Sequence, residues 1–158
     1  MRDAILEQSD EEIVEMGALS RSPGFLLRLA QVKAFEAFFE HTSPLNIKPG
    51  EFTVLWVIAL NPGLKQGSIA RKLHIKPAHM TKLIGRMVKD GLVERHTPSD
   101  DRRAVRLTLT KAGEQFVDKN HEKFLDVDMP TRVALTDTEA EQLNALLVKF
   151  IGLNQNAT

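Results

Sequence analysis

Between Gly91 and Thr110 the apolar residues alternate, whereas on both sides of that stretch they recur in steps of three and four. A single change of period confines the chain to a mainly α fold carrying one small β-hairpin. Leu92-Val93-Glu94-Arg95 reads as the first strand and Thr97-Pro98-Ser99-Asp100-Asp101 as a polar turn. Arg102–Leu109 returns as a half-buried strand, with Val105, Leu107 and Leu109 on one side and Arg106 and Thr108 on the other. Thr110 then caps a helix that reaches about Val127.

The flanking pattern predicts the other helices. Ser9-Asp10-Glu11-Glu12 has capping-box spacing ahead of Ile13, Val14 and Met16, which predicts a short N-terminal helix. Ser22-Pro23 opens a helix with Phe25, Leu29, Val32, Phe35, Phe38 and Phe39 on one broad face, ending near His41. Pro49 opens another, stopped by Asn61-Pro62-Gly63; its apolar residues surround it, so it belongs in the centre. A short helix over Gly67–Leu73 is followed by one from Pro77 to Asp90, ended by Gly91. Thr136-Asp137-Thr138-Glu139 is a capping box for a last helix with Leu143, Leu146, Leu147 and Phe150 in a stripe.

Charge is distributed unevenly along these elements. The whole chain of 158 residues is neutral, with 21 basic and 21 acidic residues. Residues 65–111 nevertheless hold twelve Lys and Arg against four acids, a surplus of eight that suits a polyanion. There is no cysteine, which excludes a disulfide framework, a thiolate zinc site and a redox thiol. The acidic start MRDAILEQSDEE has no apolar run like that of a signal peptide, and Phe52–Leu60 is too short to span a membrane. The expected location is the cytoplasm.

Two helices joined by a tight turn, the second one basic, form a helix-turn-helix arrangement. On the second, Met80, Leu83 and Met87 are spaced to pack inward. His79, Lys82 and Arg86 follow the same spacing on another face, with Lys76 and Lys89 near the ends. A major groove about 12 Å wide admits such a helix. The hairpin tip, with Arg102 and Arg103, is narrow enough for a minor groove, whose negative potential attracts inserted arginine. Asp101, two residues before Arg103, is placed to orient its guanidinium; the plainer alternative is that Asp100 and Asp101 only make the turn.

The segment GLVERHTPSDDRRAVRLTLTKAG resembles the wing of the MarR family, with Asp101-x-Arg103 followed by Leu109-Thr110-x-x-Gly113. SIARKLHIKPAHMTKLIGRMVKDGLVER is similar to the family's helix-turn-helix, and KPGEFTVLWVIALNPG to its central helix and turn. The likeness covers about residues 25–152. It implies a winged helix-turn-helix plus a helical dimerisation region, as one unit over residues 1–158. The DNA-binding lobe would cover residues 45–110 and the dimerisation helices residues 21–44 and 111–152. The implied function is a sequence-specific, ligand-responsive repressor that binds double-stranded DNA at a pseudo-palindromic operator. Arg103 would enter a minor groove, and Ala78, His79, Thr81, Lys82 and Arg86 would lie on the major-groove side. Three positions depart from the family pattern. His74 stands where glycine is usual, Lys65 where a Ser or Thr cap is common, and Gly85 interrupts the recognition helix.

A homodimer is expected because one lobe can hardly bury the stripes of Phe25, Leu29 and Phe35, of Phe116 and Phe124, and of Leu143, Leu146 and Phe150. The resemblance also implies a pocket between the dimerisation helices and the DNA-binding lobe. Phe38, Phe39, His41, Phe52 and Trp56 are its candidate lining, suited to a small aromatic or carboxylated effector; as core residues the same aromatics need no ligand. No phosphate loop, nucleophile elbow or HExxH pattern is present, so the chain is read as no enzyme and as needing no cofactor. Asp118, His121 and Glu122 lie close on one predicted helix, which keeps a metal-responsive regulator as an alternative, although no metal site is assigned. A winged helix used only for protein contacts is the other alternative; the basic wing and fourth helix speak against it.

Overall fold

The structure is a computed structural model that describes residues 14–42, 47–98, 104–127 and 135–153. It divides into two compact units, residues 1–32 and 33–158. In the first, Val14–Met16 are not helical, and a 3-10 turn, Gly17–Arg21, takes the place of the predicted short helix. Residues 9–13 of that prediction lie outside the described residues. Gly17 has φ 49°, a left-handed conformation that no α-helix passes through. Helix α1 (Pro23–Thr42) starts in this unit and ends in the second. Leu26, Leu27 and Leu29 on its first turns are exposed.

The second unit is built around α2 (Pro49–Leu60), whose Phe52, Val54, Leu55 and Ile58 are buried. A helix apolar on nearly every side has to be covered, and α5 (Lys111–Val127) and β3 (Arg106–Leu109) cover it. Phe52 stacks on Phe124 at 4.6 Å between ring centroids, and Phe38 meets Phe124 edge-on at 5.4 Å. Each fully buried side chain of this cluster contributes about 1.5–3 kcal/mol by leaving water. Phe116 and Phe124, which the sequence placed on a stripe for a partner, are half-buried against this core.

The sheet has three antiparallel strands in the order β1-β3-β2. Strand β2 is Val93–His96 and pairs with β3 from Val93↔Leu109 to His96↔Arg106. The third strand, β1 (Leu64–Lys65), pairs Leu64 with Leu107 and was not predicted. Two residues are too few to show a period. Gly63, at φ 80°, makes the turn that brings β1 to the sheet edge.

Helices α3 (Gln66–Lys72) and α4 (Pro77–Lys89) follow β1, and β2 follows them. The turn between them passes through His74 at φ 52°, the left-handed conformation for which glycine is the usual residue. Helix α4 ends at Gly91, φ 71°, with the Leu92 N–H returning 2.9 Å to the Met87 carbonyl. The last helix, α6 (Asp137–Phe150), begins with the predicted capping box, and the Thr136 N–H and hydroxyl hold the Glu139 carboxyl below its usual range. Leu146 and Phe150 on α6 are 65% and 69% exposed. No helix among the described residues is long and apolar enough to cross a membrane.

Candidate nucleic-acid interface

Helix α4 carries the chemistry, and its orientation follows from what it buries. Met80, Leu83, Ile84 and Met87 are all in the core. At about 100° per residue, the stripe opposite them is Ala78, Lys82, Gly85 and Lys89. Thr81 falls on the flank towards α3 and β2, and His79 and Arg86 on the flank towards α2.

Contacts on both flanks agree with this geometry. The Gln66 amide on α3 donates to the Thr81 hydroxyl at 3.3 Å, and the Arg95 guanidinium on β2 donates to the Thr81 carbonyl at 3.2 Å. Thr81 is thus the point where α3, α4 and the wing strand are tied together. An open hollow of about 580 Å³ between α3 and α4 has Gln66, Arg71, Lys76, Pro77 and Thr81 in its wall. A second hollow, about 360 Å³, joins the start of α3 to Ala104 and Val105 at the base of the wing, and shares Gln66 and Arg71 with the first. Ser68 holds Arg71 at 3.2 Å.

Ten of the twelve cations of the basic block are among the described residues, and all ten are exposed. They include Lys76, Lys82 and Arg86 on or beside α4, Arg71 on α3, and Arg95 and Arg106 on the strands. Ala78, His79 and Thr81 are exposed as well. Asp101, Arg102 and Arg103, the expected wing tip, lie outside the described residues. Gln66, Arg71 and Arg95 were not singled out from sequence. Arg71 and Arg95 belong to the basic block, but only the fold brings them beside Thr81.

Gly85 sits on the outward stripe of α4, and an added methyl there would meet nothing nearer than the Arg95 guanidinium, at 3.8 Å. The position has room for alanine and the backbone is helical. Gly85→Ala is expected to stabilise the fold by about 1 kcal/mol through helix propensity alone. Thermal unfolding checks this, and a lower melting temperature would mean that the helix is strained there.

On its α2 side, α4 walls a cleft of about 670 Å³. Phe35 and Phe39 of α1, Lys48, Pro49 and Glu51 at the start of α2, and His79, Lys82, Leu83 and Arg86 of α4 line it. Of the aromatic candidates for a pocket among the described side chains, Phe39 is the one found here. Phe38 and Phe52 are 2% and 1% exposed, and Trp56 is half-buried against the same cluster, so the core accounts for them. The His41 side chain is outside the described residues. Asp118, His121 and Glu122 do not converge as metal ligands. The His121 Nδ1 lies 2.9 Å from the Asp118 backbone carbonyl, its ring lies 5.9 Å from that of Trp56, and no group of three potential ligands gathers among the described residues.

Residues 47–105, which run from the start of α2 through α3 and α4 past β2, match the model of the MarR family. The chain is 31% identical over 135 residues to a putative transcriptional regulatory protein for the hcr operon of Thauera aromatica, covering 85% of this chain and 81% of that one. It is 25% identical over 134 residues to the homoprotocatechuate degradative operon repressor of Escherichia coli, covering 82% and 90%. Among solved structures it superposes on the transcriptional repressor CouR bound to a 23-mer DNA duplex with a TM-score of 0.79 and 28% identity, covering 88% and 99%.

Proposed function

The chain belongs to the MarR family of winged helix-turn-helix transcription regulators, and we propose that it acts as a homodimeric, effector-responsive repressor at a pseudo-palindromic operator. It is a DNA-binding regulator. The observation that carries the reading is the exposed basic stripe of α4, tied through Thr81 to α3 and to the wing. Ala78, Lys82 and the flanking Lys76, His79 and Thr81 would face a major groove, with Arg86 turned towards α2, and the wing would follow into a minor groove. The exposed apolar residues of α6 and of the start of α1 support dimerisation through residues 21–44 and 111–152. Its place of action is the cytoplasm, with the DNA it binds.

The cleft beside α4 is the proposed effector site. Phe35, Phe39 and Leu83 offer an apolar wall, and Lys48, His79 and Lys82 offer donors at its rim. That combination favours a small ring bearing a carboxylate. A relative named for repression of a homoprotocatechuate degradative operon points towards the same chemistry.

The wing supplies the test of the DNA-binding mode. An operator is first isolated by retaining genomic fragments on the protein. Arg103→Ala is expected to weaken operator binding by on the order of 1–3 kcal/mol with the melting temperature unchanged. Asp101→Ala should weaken it too, because the role proposed for Asp101 is to orient the guanidinium of Arg103. Bulk electrostatics predicts the opposite sign, because losing an acid beside phosphates favours binding. Tighter binding by Asp101→Ala would remove the orienting role, and normal binding by Arg103→Ala would remove the wing assignment.

A further inference from the structure

Glu51 is an acid buried beside a basic helix, and the DNA-binding mode described above gives it no role. It is 7% exposed and stands in the first turn of α2. Its two oxygens are used separately. One accepts the Lys48 N–H at 3.0 Å and so caps the helix; the other pairs with the guanidinium of Arg86. Arg86 is half-exposed, and it reaches back from α4 to α2 rather than out along the Ala78–Lys82–Gly85 stripe. Glu51 and Arg86 together form the partition between the wide cleft and a smaller hollow of about 290 Å³ that Leu55, Asp90 and Phe116 also line.

We infer that Glu51 is a positioning residue for operator recognition, acting on DNA through Arg86. The core side of α4 is held by Met80, Ile84 and Met87, whose apolar contacts are non-directional and permit rotation and sliding. A charge-assisted bond to a guanidinium is directional. It fixes the rotation of α4 about its axis against α2, and therefore the angle at which Ala78 and Lys82 meet base edges. Burial makes the restraint stiff, because a buried carboxylate that loses its cation is left uncompensated. In this account Arg86 spends its charge on Glu51, and its role in DNA binding is indirect.

Glu51→Gln keeps the size and the capping acceptor but loses the charge. Bulk electrostatics predicts tighter DNA binding for the loss of an acid. The positioning role predicts operator affinity lower by about tenfold, with affinity for a permuted duplex and the salt dependence both unchanged. Arg86→Gln should give the same loss. The neutral pair E51Q/R86Q should be no worse than either single change, because the two residues act as one unit. A general loss of structure would lower binding to both duplexes and the melting temperature together, so a selective loss on the operator separates positioning from stability. If E51Q does not fold, the neutral pair serves alone: weakened operator binding supports the inference, and wild-type binding overturns it. It is also overturned if E51Q binds the operator as well as wild type, or if R86Q alone lowers the salt slope by about one, which would make Arg86 a direct phosphate contact.

Discussion

Replacing Gly113 with alanine is expected to destabilise the folded chain by on the order of 3 kcal/mol or more, the upper end of what overpacking usually costs. A methyl group on Gly113 would stand 2.1 Å from the Leu92 carbonyl oxygen, 3.0 Å from its carbon and 3.3 Å from the Leu109 Cβ. Two of these are backbone atoms, which cannot step aside as the end of a side chain can. The Leu92 carbonyl is also held in place, since it accepts the Thr110 N–H at 3.0 Å. Thr110 binds the joint from the other side. Its hydroxyl donates to the Gly91 carbonyl at 2.6 Å and accepts the Gly113 N–H at 3.0 Å. The start of α5 is thus clamped onto the residues that lead into β2. Relieving the clash means lifting the first turn of α5 from that end of the sheet. For a chain of this length the expected loss is about 6–12 °C in melting temperature. A Gly113→Ala protein that melts with the wild type would show that α5 does not approach Leu92 this closely.

The same joint shows how far the sequence alone could be read. Thr110 as a helix cap was legible from its position between an alternating strand and a helical pattern. Gly113 was visible only as part of a family motif; its reason is a carbonyl twenty-one residues earlier in the chain, and no local pattern reports that. The helices of the second unit were legible because their apolar spacing, prolines and capping residues agreed with one another. The resemblance places His74 where glycine is usual, and its φ is 52°. Strand β1 was missed because two residues carry no period, and its pairing is long-range. The aromatic residues were ambiguous for a different reason. The resemblance offers Phe38, Phe52 and Trp56 as pocket walls or as core, and no local pattern tells a ring facing a cleft from a ring packed on Phe124. Arg86 shows the same limit for charge. Its place on α4 was clear, but its partner, Glu51, lies on another helix thirty-five residues earlier.

A salt titration tests whether a dimer reads an operator through the basic winged helix. Lys and Arg that neutralise phosphates release condensed counterions, so affinity falls with salt in proportion to the number of phosphates met. The exposed cations on α3, α4 and the strands, doubled by a partner chain, supply six to ten such contacts as an order-of-magnitude estimate. Operator affinity should then fall by about 10³–10⁵ between roughly 50 and 200 mM salt. A permuted duplex of the same composition shares the phosphates but not the base edges met by Ala78, Lys82 and their neighbours. It should bind at least about 10³ more weakly than the operator at physiological salt. The deciding measurement is an equilibrium titration of both duplexes across that salt range. A steep slope, with the operator clearly preferred, is the expected result; equal affinity for the two duplexes, or a slope near zero, would mean that the chain does not read DNA in this way.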